Sequence, residues 1–252
     1  MSDFNRNVTA RGGFADRTAA VDAGLRTYML RVYNYMGAAV ALTGVVAWLC
    51  FQNAVVTNEA GAITGLTSFG QMILGGYTPI ILMLATLGLV FFISFRIHTL
   101  QYTTALALFM VYAALLGAAL TSIFVAYTGA SVARVFFISA ASFGALSLYG
   151  YTTQRDLSAM GSFLIMGLFG IIIASLVNIF LKSSGLDWAI SVIGVGVFAG
   201  LTAYDAQRIK EMYDAGDDAN SAGRKAVMGA LSLYLDFINL FLMLLRLFGD
   251  RR

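Results

Sequence analysis

The sequence predicts an all-α polytopic membrane protein with seven transmembrane helices. Composition is the first reason. Of 252 residues, 59% are hydrophobic and only 12% charged, where a soluble domain carries about 25% charged residues. The second reason is segmentation. The apolar residues fall into seven runs, each near the ~20 residues that cross hydrocarbon as a helix. The third is charge placement. Eleven of the sixteen Lys and Arg lie on the N-terminal arm and on the loops after the second, fourth and sixth segments. Such a bias marks the cytoplasmic side, so the N-terminus is expected inside.

Residues 1–27 are polar and mix Arg6, Arg11, Arg17 and Arg26 with Asp3, Asp16 and Asp22. No apolar core lies near the start, so this is no signal peptide. It reads as a flexible cytoplasmic arm before a transmembrane domain over 28–252. The first span is expected over Val32–Phe51, anchored by Trp48 at the interface. Residues 52–76 form a Gly-, Thr- and Ser-rich loop without Lys or Arg. Further spans are expected at Tyr77–Phe95, Tyr102–Ala126, Val132–Tyr151, Gly161–Leu181 and Trp188–Gln207. A charged loop, Arg208–Lys225, precedes the seventh, Ala226–Phe248. That last segment is long enough to cross. The alternative, a re-entrant last segment, would leave both ends inside. Seven crossings put Arg246, Arg251 and Arg252 outside, against the charge bias.

Several chemistries are excluded. Cys50 is the only cysteine and His98 the only histidine, which removes an intramolecular disulfide, cysteine clusters and histidine-rich metal sites. The basic residues sit at helix ends and form no single patch, so nucleic acid is not a partner. The last span holds no lysine for a retinal Schiff base. A rhomboid-type protease needs an intramembrane Ser-His pair, and His98 lies in a loop. An intramembrane aspartyl protease pairs a Tyr-Asp, as in Tyr204-Asp205, with Gly-x-Gly-Asp; here the second acid sits in Leu233-Tyr-Leu-Asp236. No enzyme activity and no cofactor are expected.

Two acids carry the functional reading. Asp236 sits inside the last span, where a charge costs roughly 2.5–3.5 kcal/mol on insertion scales. Such a residue faces a bundle interior, a water path or a partner. On a helical wheel Ser232, Asp236 and Asn239 share one arc with Met243 and Arg246, a polar stripe on an otherwise apolar helix. The plainer alternative is a structural acid bonded to a neighbouring hydroxyl. Asp205 lies near the inner end of the sixth span, where it could also simply reach water. The short loop between the two spans makes them antiparallel neighbours. With entry near Gly229, Asp236 would lie about 10 Å deep, and the two carboxylates could meet. Carboxylates that share a site resist double ionisation and titrate as a unit. Arg96, ending the second span on the same side, is a candidate counter-ion for Asp205; the alternative is a snorkelling anchor. Gly196-Val-Phe-Ala-Gly200 matches a close-packing motif and indicates packing alone.

Ala203-Tyr-Asp-Ala-Gln-Arg-Ile-Lys210, Leu231-Ser-Leu-Tyr-Leu-Asp-Phe-Ile-Asn-Leu-Phe241 and Leu245-Arg-Leu-Phe-Gly249 resemble the signature of the Bax inhibitor-1 (transmembrane Bax inhibitor motif) family, in its bacterial branch. The resemblance implies six helices around a central seventh. It implies a pH-sensitive calcium leak, with Ca2+ as permeant ion. It also implies that Asp205 and Asp236 are the acidic pair, able to meet Ca2+, and that Arg96 is the arginine latching Asp205. Some bacterial relatives suggest another role, restraint of a membrane protein such as a membrane-bound protease, with the arm at 1–27 as the contact. A third reading is a proton-coupled transporter of a small solute.

Overall fold

The computed structural model describes residues 23–58 and 62–252. The arm expected over 1–27 therefore lies, except for 23–27, outside the described residues. Seven helices are long and apolar enough to cross a membrane. They are α1 (described over Ala23–Ala54), α3 (Thr78–Arg96), the pair α4 (Tyr102–Ala119) and α5 (Thr121–Ala126), α6 (Gly129–Thr152), α7 (Ser158–Leu181), α8 (Ser184–Glu211) and α9 (Ala219–Phe248). The third span expected as one helix is broken at Leu120.

The loop expected to lack structure is ordered. Val55–Thr57 (β1) and Ile63–Leu66 (β2) pair antiparallel, and Ser68–Leu74 forms a short α2. β-branched residues on either side of a turn explain the hairpin. Thr67 caps α2 by accepting from the Gly70 amide at 3.0 Å. Three further helix starts carry a side-chain cap. Thr128 caps α6, Ser183 caps α8 and Asp218 caps α9 through side-chain oxygens, each relieving orphan amides of a first turn.

The bundle has two ends. The charged face carries the loops 97–101, 153–157 and 212–218. The hairpin face carries β1–β2, the α5–α6 and α7–α8 turns, and the C-terminus. Helix α9 has 30 residues, about 45 Å at 1.5 Å per residue, and runs from one face to the other. Arg252 ends beside Ala126, whose carbonyl accepts its amide at 3.0 Å. The last segment is a full crossing, so the re-entrant alternative does not hold.

Helix α9 is central. It packs on α8, α1, α6 and α4, whereas α3 packs on α4 and α7 on α8 outside that inner set. Small residues bring α9 close to its neighbours: Gly223, Ala226, Gly229 and Ala230 are all buried. Toward the hairpin face aromatic rings take over. Phe237 meets Phe136 at 5.6 Å and Phe143 at 5.5 Å between centroids, both edge-on, the arrangement ring quadrupoles prefer. Tyr234 is fully buried among Phe109 and Tyr112, and its hydroxyl bonds Thr43 Oγ1 at 2.7 Å. The tightest backbone approach is between α6 and α8, where a Cβ on Gly150 would overlap the Ala203 carbonyl oxygen.

Candidate functional site

Two contacts set the antiparallel register of α8 and α9. Gly229 lies against Ile209, and Gly194 against Met243. Asp205 is therefore level with Ser232 and Asp236 with Thr202, so the two acids stand about one helical turn, ~5 Å, apart along the bundle. Asp205 is the charge that acts on Asp236. Asp236 is buried, 6% exposed, and its Oδ2 has no hydrogen-bond partner. An orphan carboxylate oxygen in a core is costly. Asp236 lies about 14 Å from the level of Glu211 at the end of α8, deeper than the 10 Å expected. The extra depth arises because α8 runs further, to Glu211, and α9 begins earlier, at Ala219.

Above the acids, toward the charged face, the ends of α3, α8 and α9 enclose a vestibule of about 400 Å³. Its charged lining is Arg208, Arg224, Lys225 and Asp217, with His98 at the α3 end. Lys225 Nζ meets Asp217 at 2.6 Å. Arg224 donates to the His98 carbonyl and, at 3.1 Å, to Ser221 Oγ. Arg208 sits one turn above Asp205 on the same helix and is the cation that acts on it. In the loop at the vestibule's rim Asp218, the cap of α9, has its carboxyl held below the usual carboxylate range, first by its hydrogen bond with Ser221.

The expected residues do not all converge. Asp205 and Asp236 stand about one helical turn apart, within electrostatic reach of each other. Arg96 is exposed and forms no ion pair among the described residues; Arg208 stands where a latch was expected. Ser232 and Asn239 are half-buried, whereas Asp236 is buried. Asn239 donates to the Leu235 carbonyl at 2.8 Å and faces a pocket of about 340 Å³ lined mainly by Leu and Ile of α7. Burial therefore varies along the arc drawn on the wheel, from the buried Asp236 to the half-buried Ser232 and Asn239. The vestibule residues Arg208, Arg224, Lys225 and Asp217 escaped notice as a site because each reads as an ordinary loop charge. No group of three or more His, Cys, Asp or Glu gathers among the described residues. The pair offers two acidic side chains, well short of the 6–8 oxygens of a calcium site.

Beyond the pair, toward the hairpin face, lie the rings of Phe237, Phe136 and Phe241. The end is closed by the C-terminus. Arg134 pairs with Asp250 at 2.5 Å, the Asp250 amide donates to Ser131 Oγ at 2.8 Å, and Tyr127 bridges Arg251. Arg246 meets Asp187 at 3.6 Å. The three C-terminal arginines that break the charge bias thus sit in specific contacts: Arg251 stacks over Tyr127 and Arg252 over Phe51.

Comparison with known proteins agrees with this architecture. Residues 25–252 match the family described as inhibitor of apoptosis-promoting Bax1. Inner membrane protein YbhL of Escherichia coli K12 is 49% identical over 232 residues, covering 91% of this chain and 94% of YbhL. RP147 of Rickettsia prowazekii is 48% identical over the full length of both chains. The membrane protein SpyM3_0260 of Streptococcus pyogenes is 37% identical over 90% of this chain and 94% of its own. With a family match over nearly all of the transmembrane domain and relatives aligned end to end, this seven-helix chain belongs to the Bax inhibitor-1 family of membrane proteins.

Proposed function

We propose that this protein is a pH-sensitive calcium leak channel of a bacterial inner membrane, controlled by the Asp205–Asp236 pair. The observation that carries the reading is the buried, unpartnered Asp236 oxygen within electrostatic reach of a second acid, Asp205. Such a pair holds a shared proton more readily than two charges, so its net charge follows the proton supply from the vestibule. The name of the YbhL relative supports the inner membrane, and the positive-inside bias supports an N-terminus and charged face in the cytoplasm.

In this reading the vestibule is the inner mouth and the structure is its unlatched form. Movement of the α3 end across the vestibule would carry Arg96 toward Asp205, adding a second cation to Arg208 and closing the mouth. Protonation of the pair removes the charge that draws Arg96 in. Cations and other titrating groups facing the mouth, namely Arg208, Arg224, Lys225, Asp217 and His98, set the field in which the pair works. Calcium crosses as cargo: two acidic side chains give a transit point, not a storage site. The rings around Phe237 form a dry constriction, the kind that gates by dewetting.

Calcium flux into liposomes across a pH series tests this. The wild type should show a pH-dependent leak, Asp236→Asn and Asp205→Asn should each flatten that dependence, and Arg96→Gln should raise flux at neutral pH. Unchanged flux and pH response in both Asn variants would sink the channel reading and favour a role in binding other membrane proteins.

A further inference from the structure

Helices α1 and α6 flank a groove of about 780 Å³ on the outside of the bundle, away from the vestibule. Its walls are Met29, Leu30, Met36, Phe143 and Leu148, with Gly144 in the floor. The two wall hydroxyls satisfy each other, Tyr33 Oη to Ser147 Oγ at 2.7 Å, so the groove offers an apolar lining. Methionines suit an occupant with a flexible chain. From Arg26 to Met36 the groove follows α1 for ten residues, about 15 Å. Its charged-face end holds cations. Arg26 is part of the lining and exposed. Tyr151 closes the same end, with Lys210 Nζ 5.5 Å above its ring and donating to its carbonyl at 2.9 Å. That ammonium keeps two further donors.

A long apolar trough with cations at one end matches one chemistry, an amphiphile with an anionic head. We propose that the groove seats one acyl chain of an anionic phospholipid, its phosphate held by Arg26 and Lys210. Helix-to-helix packing leaves α1 and α6 apart here, and the lipid fills the seam between them. The site is separate from the acidic pair, so its fate does not depend on the channel reading.

The test is native mass spectrometry of the full chain released from micelles doped equally with phosphatidylglycerol and phosphatidylcholine. Wild type should retain phosphatidylglycerol preferentially, as one bound lipid. Arg26→Gln should cut that preference about fivefold, the worth of one basic residue at a membrane surface, while total lipid changes little. A Cβ on Gly144 meets open space, so Gly144→Leu fills the trough without disturbing the fold and should lose both lipids. Gly170 on α7 is equally open, and Gly170→Leu should behave as wild type. Equal retention of the two lipids by wild type, an unaltered ratio in Arg26→Gln, or equal loss in Gly170→Leu and Gly144→Leu would overturn the proposal. So would a dimer in place of the lipid adduct.

Discussion

Helices α7 and α9 make an instructive pair. Helix α7 is the most apolar of the seven spans, yet only 11% of its most apolar window is buried; for the less apolar α9 the figure is 72%. In water the order would be reversed. In lipid an apolar face needs no protein cover, and helices meet through close van der Waals packing and polar groups. Helix α7 turns Phe163, Met166, Phe169, Ile173 and Phe180 outward. Helix α9 carries the small residues, the ring cluster and the acid that require neighbours. Polarity inside an apolar span, more than apolarity itself, marks the centre of this bundle.

Substitutions can sharpen or break that contrast. Phe237 sits among Phe136 and Phe143 at 3% exposure, and Phe237→Ala should cost about 3–5 kcal/mol. Phe169→Ala on α7 removes a ring that is 60% exposed and should stay within about 0.5 kcal/mol. Reversible unfolding in mixed micelles measures both, and similar costs would refute the centre-and-rim picture. Next in size is Gly150→Leu, which forces α6 from the Ala203 carbonyl. It should lose about 1–3 kcal/mol, seen as a lower melting temperature, whereas Gly170→Leu should leave the melting temperature alone.

A smaller effect is expected for Tyr234→Phe. The ring remains packed and Thr43 Oγ1 keeps the Ala39 and Ala113 carbonyls, each at 2.9 Å. The loss should be near 0.6 kcal/mol, the average for hydrogen bonds between membrane helices. The smallest effect is a pH dependence at the rim. The folded Asp218 carboxyl titrates below its ordinary value of 3.8 because it bonds Ser221 and the first amides of α9. Its contribution is fully present above that ordinary value and fades as pH falls through the lowered one. Wild type should therefore outlast Asp218→Ala slightly at neutral pH, and the two should converge in acid. A gap that persists below pH 3 would point to another cause.

Much of this architecture was legible in the sequence. The seven crossings follow from hydropathy alone, and the Leu231–Phe241 signature implied a central last helix. Legibility fell where structure depends on neighbours. A helical wheel places Ser232, Asp236 and Asn239 in one arc, but the wheel does not say where neighbouring helices divide that arc. The hairpin at β1–β2 was missed because Gly and Thr around it read as loop. The vestibule was missed because it gathers single charges from three separate segments. Arg96 was read as a latch from resemblance, and the side chain's place depends on how far the end of α3 stands from α8. The C-terminal arginines broke a statistical rule for a local reason that only contacts reveal.

The central position of α9 also has a consequence for how the molecule is made. Helix α9 is synthesised after α1, α4, α6 and α8, yet each of them leaves a face that it fills. Until α9 is made the earlier spans can pair as α1 with α4 and α6 with α8, but they have no common axis. Insertion of α9 then joins those pairs around one axis. A chain truncated before Ala219 would lack its axis, and quality-control proteases would meet a loose set of helices rather than a smaller version of the bundle.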